Sequence, residues 1–224
     1  MAYRLDWLPV LQASQALLSG LAISLEIFLI SSIGATLLGL GGASLMLSRH
    51  ASLRFVATGY VELMRNSPSL VKMYFIYFGF PVLGLFPTAF WSGVIALVLH
   101  NAAYMMDIFR AAFASVARGQ REAAISLGLD PFLTYRKVLL PQALRRALPG
   151  LGNYWAEMVK DTSLTSALSV REFYFVFTSQ IALNMRTYEF FLVAGLTYLL
   201  LTSAVAAIAR LWERALARGE ARAR

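Results

Sequence analysis

The chain has 224 residues, of which 58% are hydrophobic and only 14% charged, and it carries a formal net charge of +8. A composition this apolar excludes an ordinary soluble domain and makes a bilayer the expected solvent. The absence of cysteine excludes a disulfide framework or a thiolate metal site and leaves the redox compartment open.

A membrane helix needs about 20 predominantly apolar residues to cross a hydrocarbon layer roughly 30 Å thick. The stretch from Met1 to Gly20 has scattered polar and charged residues and no basic start leading into an apolar core, so no cleavable leader is expected. The first predicted span is Leu17 to Leu47, with Glu26 as its only charge. Within it, Ala35, Gly39 and Ala43 recur every four positions, which predicts a small-residue stripe for close helix contact. Gly34, Gly39, Gly41 and Gly42 are not followed by the Lys-Ser/Thr pair that a phosphate-binding loop requires, so they read as packing residues.

Between Leu70 and Phe90 the chain is rich in aromatics and interrupted by Gly79, Pro81, Gly84 and Pro87. This predicts a helix from about Ala57 to Phe80 followed by a short turn. Tyr74, Phe75, Tyr77, Phe78 and Phe80 crowd the end of that helix and read as interfacial anchors and packing residues. A third span, Phe90 to Met106, is expected to continue as helix to about Ser115. A fourth, Leu139 to Met158, contains Arg145, Arg146 and Pro149, and a fifth, Phe190 to Ala209, is uninterrupted. The expected fold is therefore an all-α integral membrane protein with five transmembrane helices, forming one domain over residues 1–224.

Lys and Arg concentrate in short cytoplasmic loops. With the N-terminus outside, the cytoplasmic segments hold Arg49 and Arg54, then Arg118, Arg121, Arg136 and Lys137, then Arg210, Arg214, Arg218, Arg222 and Arg224. Outside the spans, the external segments hold only Arg4, Arg171 and Arg186. Five crossings then leave the C-terminus inside. Because the basic residues flank apolar spans and form no continuous face, the net charge gives no support to nucleic-acid binding.

The longest cytoplasmic loop, residues 118–137, reads as helix, break, helix. Gln120 to Leu127 favours helix, Gly128 stops it, and Asp130-Pro131 has the look of an N-cap and first turn. Ala124, Leu127 and Gly128 fall at i, i+3 and i+4, which predicts one small, apolar face. Such a face suits either insertion into a cleft on another protein or an ordinary connector resting on its own bundle.

Glu122-Ala123-Ala124, then Gly128, Val138 and Leu140-Pro141 at these spacings resemble the EAA loop of ABC importer permeases, with Val138 where Ile is common. The stretches from Glu62 to Pro81, His100 to Ala124 and Ala147 to Val170 are similar to the polar amino acid and opine uptake branch of that family, and the likeness covers roughly Leu17 to Arg214. Arg65-Asn66-Ser67-Pro68 stands where many relatives have Arg-Gly-Thr-Pro. The resemblance implies the type I importer permease fold and a multi-pass protein of the bacterial inner membrane. It implies that Glu122, Ala123, Ala124, Leu127 and Gly128 form a coupling helix docking on a cytoplasmic ATP-binding subunit, which binds ATP and Mg while this chain binds no cofactor. It also implies an extracytoplasmic solute-binding protein and a second permease chain, identical or homologous, all in contact with membrane lipid.

Ionisable groups at membrane depth cost roughly 2.5 to 3.5 kcal/mol each on insertion scales, so those inside spans are expected to be paired or to face an aqueous cavity. The candidates are Glu26, Glu62, Arg65, Lys72, Asp107, Glu157, Lys160 and Asp161. Glu62 and Arg65 stand at i, i+3 and are positioned to neutralise each other. For an amino acid, Lys160 with the hydroxyls of Thr162 and Ser163 is the expected carboxylate site. Asp161 or Glu62 is expected to receive the ammonium, with Asn101 and Tyr104 closing the side; where specificity rests with the extracytoplasmic binding protein instead, the same residues only line a translocation path. The two histidines, His50 and His100, form no metal-ligand pattern, and no nucleophile elbow is present, so neither a metal site nor catalysis is expected. An independent channel or secondary transporter, working without an ATPase, is the main alternative, and a membrane scaffold that transports nothing is a third.

Overall fold

A computed structural model describes residues 3–221, with side chains described through Leu216. Met1, Ala2, Arg222, Ala223, Arg224 and the Arg218 side chain lie outside the described residues. All regular elements among the described residues are helical. They are α1 (Leu8–Gln12), α2 (Ser14–Met46), α3 (Ala51–Arg65), α4 (Ser69–Tyr74), α5 (Ala89–Ser115), α6 (Arg118–Ser126), α7 (Pro131–Leu133), α8 (Leu140–Asp161), α9 (Phe173–Asn184) and α10 (Thr187–Ala221). Three helical stretches are long and apolar enough to cross a membrane: Ser14–Met46, Ala89–Ser115 and Thr187–Leu216.

The centre of the bundle is the contact between α2 and α5. Ala35 and Ala43 are fully buried, and a Cβ added at Gly39 would lie 2.3 Å from the Met105 Cβ and 3.1 Å from the Met105 carbonyl carbon. One added at Gly42 would lie 2.5 Å from the Met106 sulfur. The predicted small-residue stripe is therefore the seam along which two backbones approach. Gly41 faces open space and takes no part. Because Gly34 meets Val98 and Gly39 meets Met105, the two helices run parallel.

The neighbouring passes alternate in direction. Ala57 and Val61 of α3 pack with Ala103 and Met106, while Met73 and Ile76 pack with Val94 and Leu97, so α3 and α4 run against α5. On α8, Arg146 donates to the Ser115 carbonyl, Gly150 abuts Ile108 and Tyr154 reaches Asn101, which again is antiparallel to α5. Leu17 shares a cluster with Phe190 and Ala194, and further along Phe28 and Thr36 line a groove with Val205 and Trp212, so α10 runs with α2.

The predicted helix from Ala57 to Phe80 is instead two, broken at Asn66-Ser67-Pro68. Pro68 has no N–H to give to the preceding turn and its ring disfavours helical backbone at Ser67. The carbonyls released there are taken up by side chains. Lys72 Nζ donates to the Met64 carbonyl at 2.8 Å and the Ser67 carbonyl at 2.6 Å, and Ser67 Oγ donates to the Leu63 carbonyl at 2.7 Å. His100 Nδ1 lies 3.2 Å from the Met64 carbonyl. After α4 the chain passes through a wide turn at Phe75–Gly79 and a tight one at Phe80–Leu83, ending at Gly84 with φ of 77°. The expected turn before α5 is present, and Thr88 caps that helix by accepting from the Trp91 N–H.

The loop after α5 follows its sequence signals. Gly128 takes φ of 78°, a left-handed conformation that glycine adopts without penalty, and Asp130 accepts from the Phe132 and Leu133 N–H groups at 2.8 and 2.9 Å. The second helix of the loop does not end before the fourth predicted span. It runs through a wide turn at Thr134–Leu139 directly into α8, the widening falling just ahead of Pro141.

At the opposite end, Glu172 is fully buried and caps α9, accepting from the Tyr174 and Phe175 N–H groups at 2.9 and 2.8 Å and from Ser24 Oγ at 3.0 Å. The N-terminal segment is tied to the start of α10. Tyr3 donates to the Glu189 carboxylate, which holds its phenol above the ordinary range, and the Asp6 N–H donates to the same carboxylate at 2.8 Å. Arg186 donates to the Arg4 carbonyl at 3.1 Å.

Because the α2–α5 seam leaves no room for a side chain at Gly39, while Gly41 faces away from it, Gly39→Ala is expected to destabilise the detergent-solubilised protein by about 1–3 kcal/mol. Gly41→Ala is expected to be near neutral. Thermal unfolding of the two variants side by side measures the difference.

Candidate functional site

The break between α3 and α4 places polar groups against the middle of α5. Arg65, the last residue of α3, reaches across to Asp107 with Nη1 2.5 Å from Oδ2, and its guanidinium lies 5.3 Å from the centre of the Tyr104 ring. Arg110 joins Asp107 from the next turn at 3.3 Å. Tyr104 is stacked on Tyr154 of α8 with ring centres 4.9 Å apart, and meets His100 edge-on at 5.2 Å. Tyr154 donates to the Asn101 carbonyl oxygen at 3.1 Å, while the Asn101 Nδ2 is buried without a partner among the described residues. A cation seated over an aromatic face beside a stacked tyrosine pair forms a polar wall built by α3, α5 and α8 together.

The expected pairing of Glu62 with Arg65 does not occur. Glu62 instead accepts from Asn66 Nδ2 at 2.9 Å, while Arg65 extends across the helix–helix gap to Asp107. Asn101 and Tyr104 lie in the polar wall. Asp161 stands seven residues beyond Tyr154, which returns it to nearly the same face of α8. Lys160 points elsewhere, forming an ion pair with Glu157 at 2.5 Å and bordering a small cavity with Thr202, Ser203 and Arg210. The hydroxyls of Thr162 and Ser163 are engaged within their own turn, donating to the carbonyls of Val159 at 2.9 Å and Lys160 at 2.7 Å. Lys160, Thr162 and Ser163 therefore do not converge.

Arg65, His100, Asp107 and Tyr154 are the members of the wall that the expected site lacked. Sequence carried a signal for two of them, since Arg65 and Asp107 are ionisable groups within or beside the predicted spans. Tyr154 could be recovered only from the angle at which α8 meets α5. Lys72, also an ionisable group in the second predicted span, is occupied in closing the helix break.

A second locus is α6. Glu122 and Ala123 are exposed and Leu127 is 81% exposed, but Ala124 is buried, so the small face expected from Ala124, Leu127 and Gly128 is divided. Ala124 rests on the bundle while Leu127 projects from it. The helix is also fastened to α8, with Gln142 Nε2 donating to Gln120 Oε1 at 3.1 Å.

Among the described residues no group of three or more His, Asp or Glu side chains is placed to hold a metal ion. Residues 35–218 match the family model of the binding-protein-dependent transport system inner membrane component. The chain is 35% identical over 219 residues to a probable amino-acid permease protein, YxeN, of Bacillus subtilis, covering 96% of this chain and 97% of that one. It is 36% identical over 217 residues to the octopine transport system permease protein OccM of Rhizobium radiobacter, covering 92% and 87%. It is 34% identical over 211 residues to the glutamine transport system permease protein GlnP of Escherichia coli, covering 93% and 96%. Among solved structures it is similar to an amino acid ABC transporter crystallised with histidines, with a TM-score of 0.85, 30% identity, and coverage of 95% and 99%. The inward-facing methionine transporter MetNI shares the fold at a TM-score of 0.80 and 17% identity, covering 92% and 98%.

Removing the lysine ammonium leaves the Ser67 carbonyl without its donor and the Met64 carbonyl with His100 Nδ1 alone. Lys72→Met is therefore expected to lower stability by about 1–3 kcal/mol, with partial recovery in Lys72→Arg, as read by thermal unfolding in detergent.

Proposed function

The chain belongs to the family of inner membrane components of binding-protein-dependent transport systems, and from that premise we propose that it is the membrane-spanning permease of an ATP-driven importer for a polar amino acid or an amino-acid derivative. The amino-acid, glutamine and octopine permeases to which it is similar over nearly its whole length support this substrate class. The single observation that carries a path through this chain is the wall in which Arg65, anchored by Asp107, lies over Tyr104 and beside Tyr154.

In this reading the chain crosses the membrane five times, by α2, by α3 with α4, by α5, by α8 and by α10. The alternating directions of these passes favour it. The N-terminus lies outside, because Arg4, Arg171 and Arg186 fall at one end of the bundle and the loops bearing Arg49, Arg54, Arg118, Arg121, Arg136 and Lys137 at the other. The protein is a multi-pass component of the bacterial inner membrane. Two permease chains, identical or homologous, enclose the path, a solute-binding protein delivers substrate outside, and α6 docks on an ATP-binding subunit that holds ATP and Mg.

The chemistry of transport is recognition and release. The Arg65 guanidinium receives the substrate carboxylate by charge-assisted hydrogen bonds, and the carboxylates of Glu62 and Asp161 attract its ammonium. Asn101 and Tyr104 border the path. On the cytoplasmic side, Leu127 and Ala123 present α6 to the ATPase, and Gly128 sets the reversal of the chain behind it. Closure of the ATPase around nucleotide then biases the bundle between two arrangements, so that nucleotide at one end and substrate at the other act on one equilibrium.

In proteoliposomes with the binding protein and ATPase supplied, Arg65→Gln is expected to raise the substrate concentration for half-maximal uptake by roughly 10- to 100-fold, whereas Lys160→Ala leaves it within about twofold. Uptake by the permease without any ATPase would instead favour a channel or secondary transporter. Gly128→Val places a branched side chain at φ of 78°, where the strain is about 1–2 kcal/mol, although a Cβ there meets no neighbour. Membrane insertion is expected to persist while substrate-stimulated ATP hydrolysis falls roughly tenfold, measured on purified complex.

A further inference from the structure

Beneath α6 lies a cleft of about 740 Å³ that the transport reading does not use. Its roof is the face of α6 bearing Arg118, Arg121 and Ile125, spaced i, i+3 and i+7, and its floor is formed by the ends of α2 and α5, at Leu47 and Phe113, with Leu139 beyond. Phe113 is stacked on Tyr135 at 5.5 Å, and the Tyr135 hydroxyl lies 2.9 Å from Ser44 Oγ. The cleft therefore has an apolar depth, a hydroxyl pair on one wall and two guanidinium groups at its edge.

Those two guanidinium groups have no ion pair or hydrogen bond with any described residue, in contrast to Arg65, Arg110, Arg146 and Arg186. Glu122, on the same helix, is exposed and makes no pair with either. Arg118 and Arg121 also stand on a different side of α6 from Gly119 and Ala123, the side available to a docking partner. Leu47 and Ile125 are 48% and 57% exposed at this edge, so apolar surface adjoins the uncompensated charge.

We propose that this cleft is a binding site for one anionic phospholipid of the cytoplasmic leaflet, its phosphate held by Arg118 and Arg121 and its upper acyl chain laid between the ends of α2 and α5. The assignment rests on the inside placement of α6 under the proposed function. Charge complementarity carries it: basic pockets between membrane helices on the cytoplasmic side meet a leaflet of negative surface potential, which attracts each Arg near that surface. A soluble anion would use the arginines but not the apolar floor. Seated there, the lipid braces α6 against the bundle that it must move.

The test is lipid retention by the complete complex with its ATPase, exchanged into nanodiscs of phosphatidylcholine with added phosphatidylglycerol and analysed by native mass spectrometry. Wild type is expected to retain phosphatidylglycerol preferentially, and Arg118→Gln with Arg121→Gln to lose it roughly tenfold or more. Ala114→Trp, which fills the cleft and keeps both arginines, is expected to lose it as well. Equal retention by wild type and the double variant overturns the proposal, as does displacement of the lipid by inorganic phosphate alone. An activity loss in the double variant that is the same in pure phosphatidylcholine, with retention unchanged, assigns the arginines to the ATPase and also overturns it. Retention is read whether or not the complex transports, so absence of ATP-driven uptake by wild type counts against the permease reading alone.

Discussion

A lipid interior offers a free carbonyl nothing to bond to, and this one constraint shapes the middle of the molecule. Pro68 breaks a helix at the level of the centre of α5, and the exposed backbone must be satisfied by the protein itself. Lys72, Ser67 and His100 do so. The closure fixes where α3 ends, and the end of α3 fixes where the Arg65 guanidinium lies, which is over Tyr104 and against Asp107. Two charged side chains in an apolar region are thus put to use, Lys72 to repair the backbone and Arg65 to build a polar wall.

The same economy governs the approach of α2 to α5. Without a hydrophobic drive between helices in lipid, close packing and dispersion hold them, and glycine permits the closest packing. Gly39 and Gly42 bring the α2 backbone against Met105 and Met106, so α5 is held on one side by shape and on the other by the tyrosine stack with α8. The polar wall consequently rests on the least yielding part of the bundle, while α3, which buries only Ala57 and Val61, is its most lightly held contributor.

Much of this organisation is legible in sequence. The first, third and fifth spans are marked by apolar length, the small-residue stripe by its period of four, and the turn after α6 by Gly128 and Asp130, each of which takes the conformation its chemistry prefers. The helix break escaped because aromatic density from Tyr74 onward suggests a continuous span, although Pro68 carried the opposing signal. Side-chain aim is less legible still. Lys160 and Asp161 are adjacent in the chain but about 100° apart around the helix, so one joins Glu157 beside α10 and the other returns to the Tyr154 face. Thr162 and Ser163 resemble ligand donors until their hydroxyls are seen bonded to their own backbone.

From Pro131 to Asp161 the chain never leaves a helical path, widening at Thr134–Leu139 and carrying Pro149 within α8. That is a path of about 45 Å, with α6 joined to it through Gln120 and Gln142 just beyond the wide turn and Asp161 at its tip. A push entering at Gln142 bypasses the wide turn and travels to the tip along α8 alone. The Gln120–Gln142 contact then sets how much of any movement of α6 arrives among the tyrosines, far from the surface where it began.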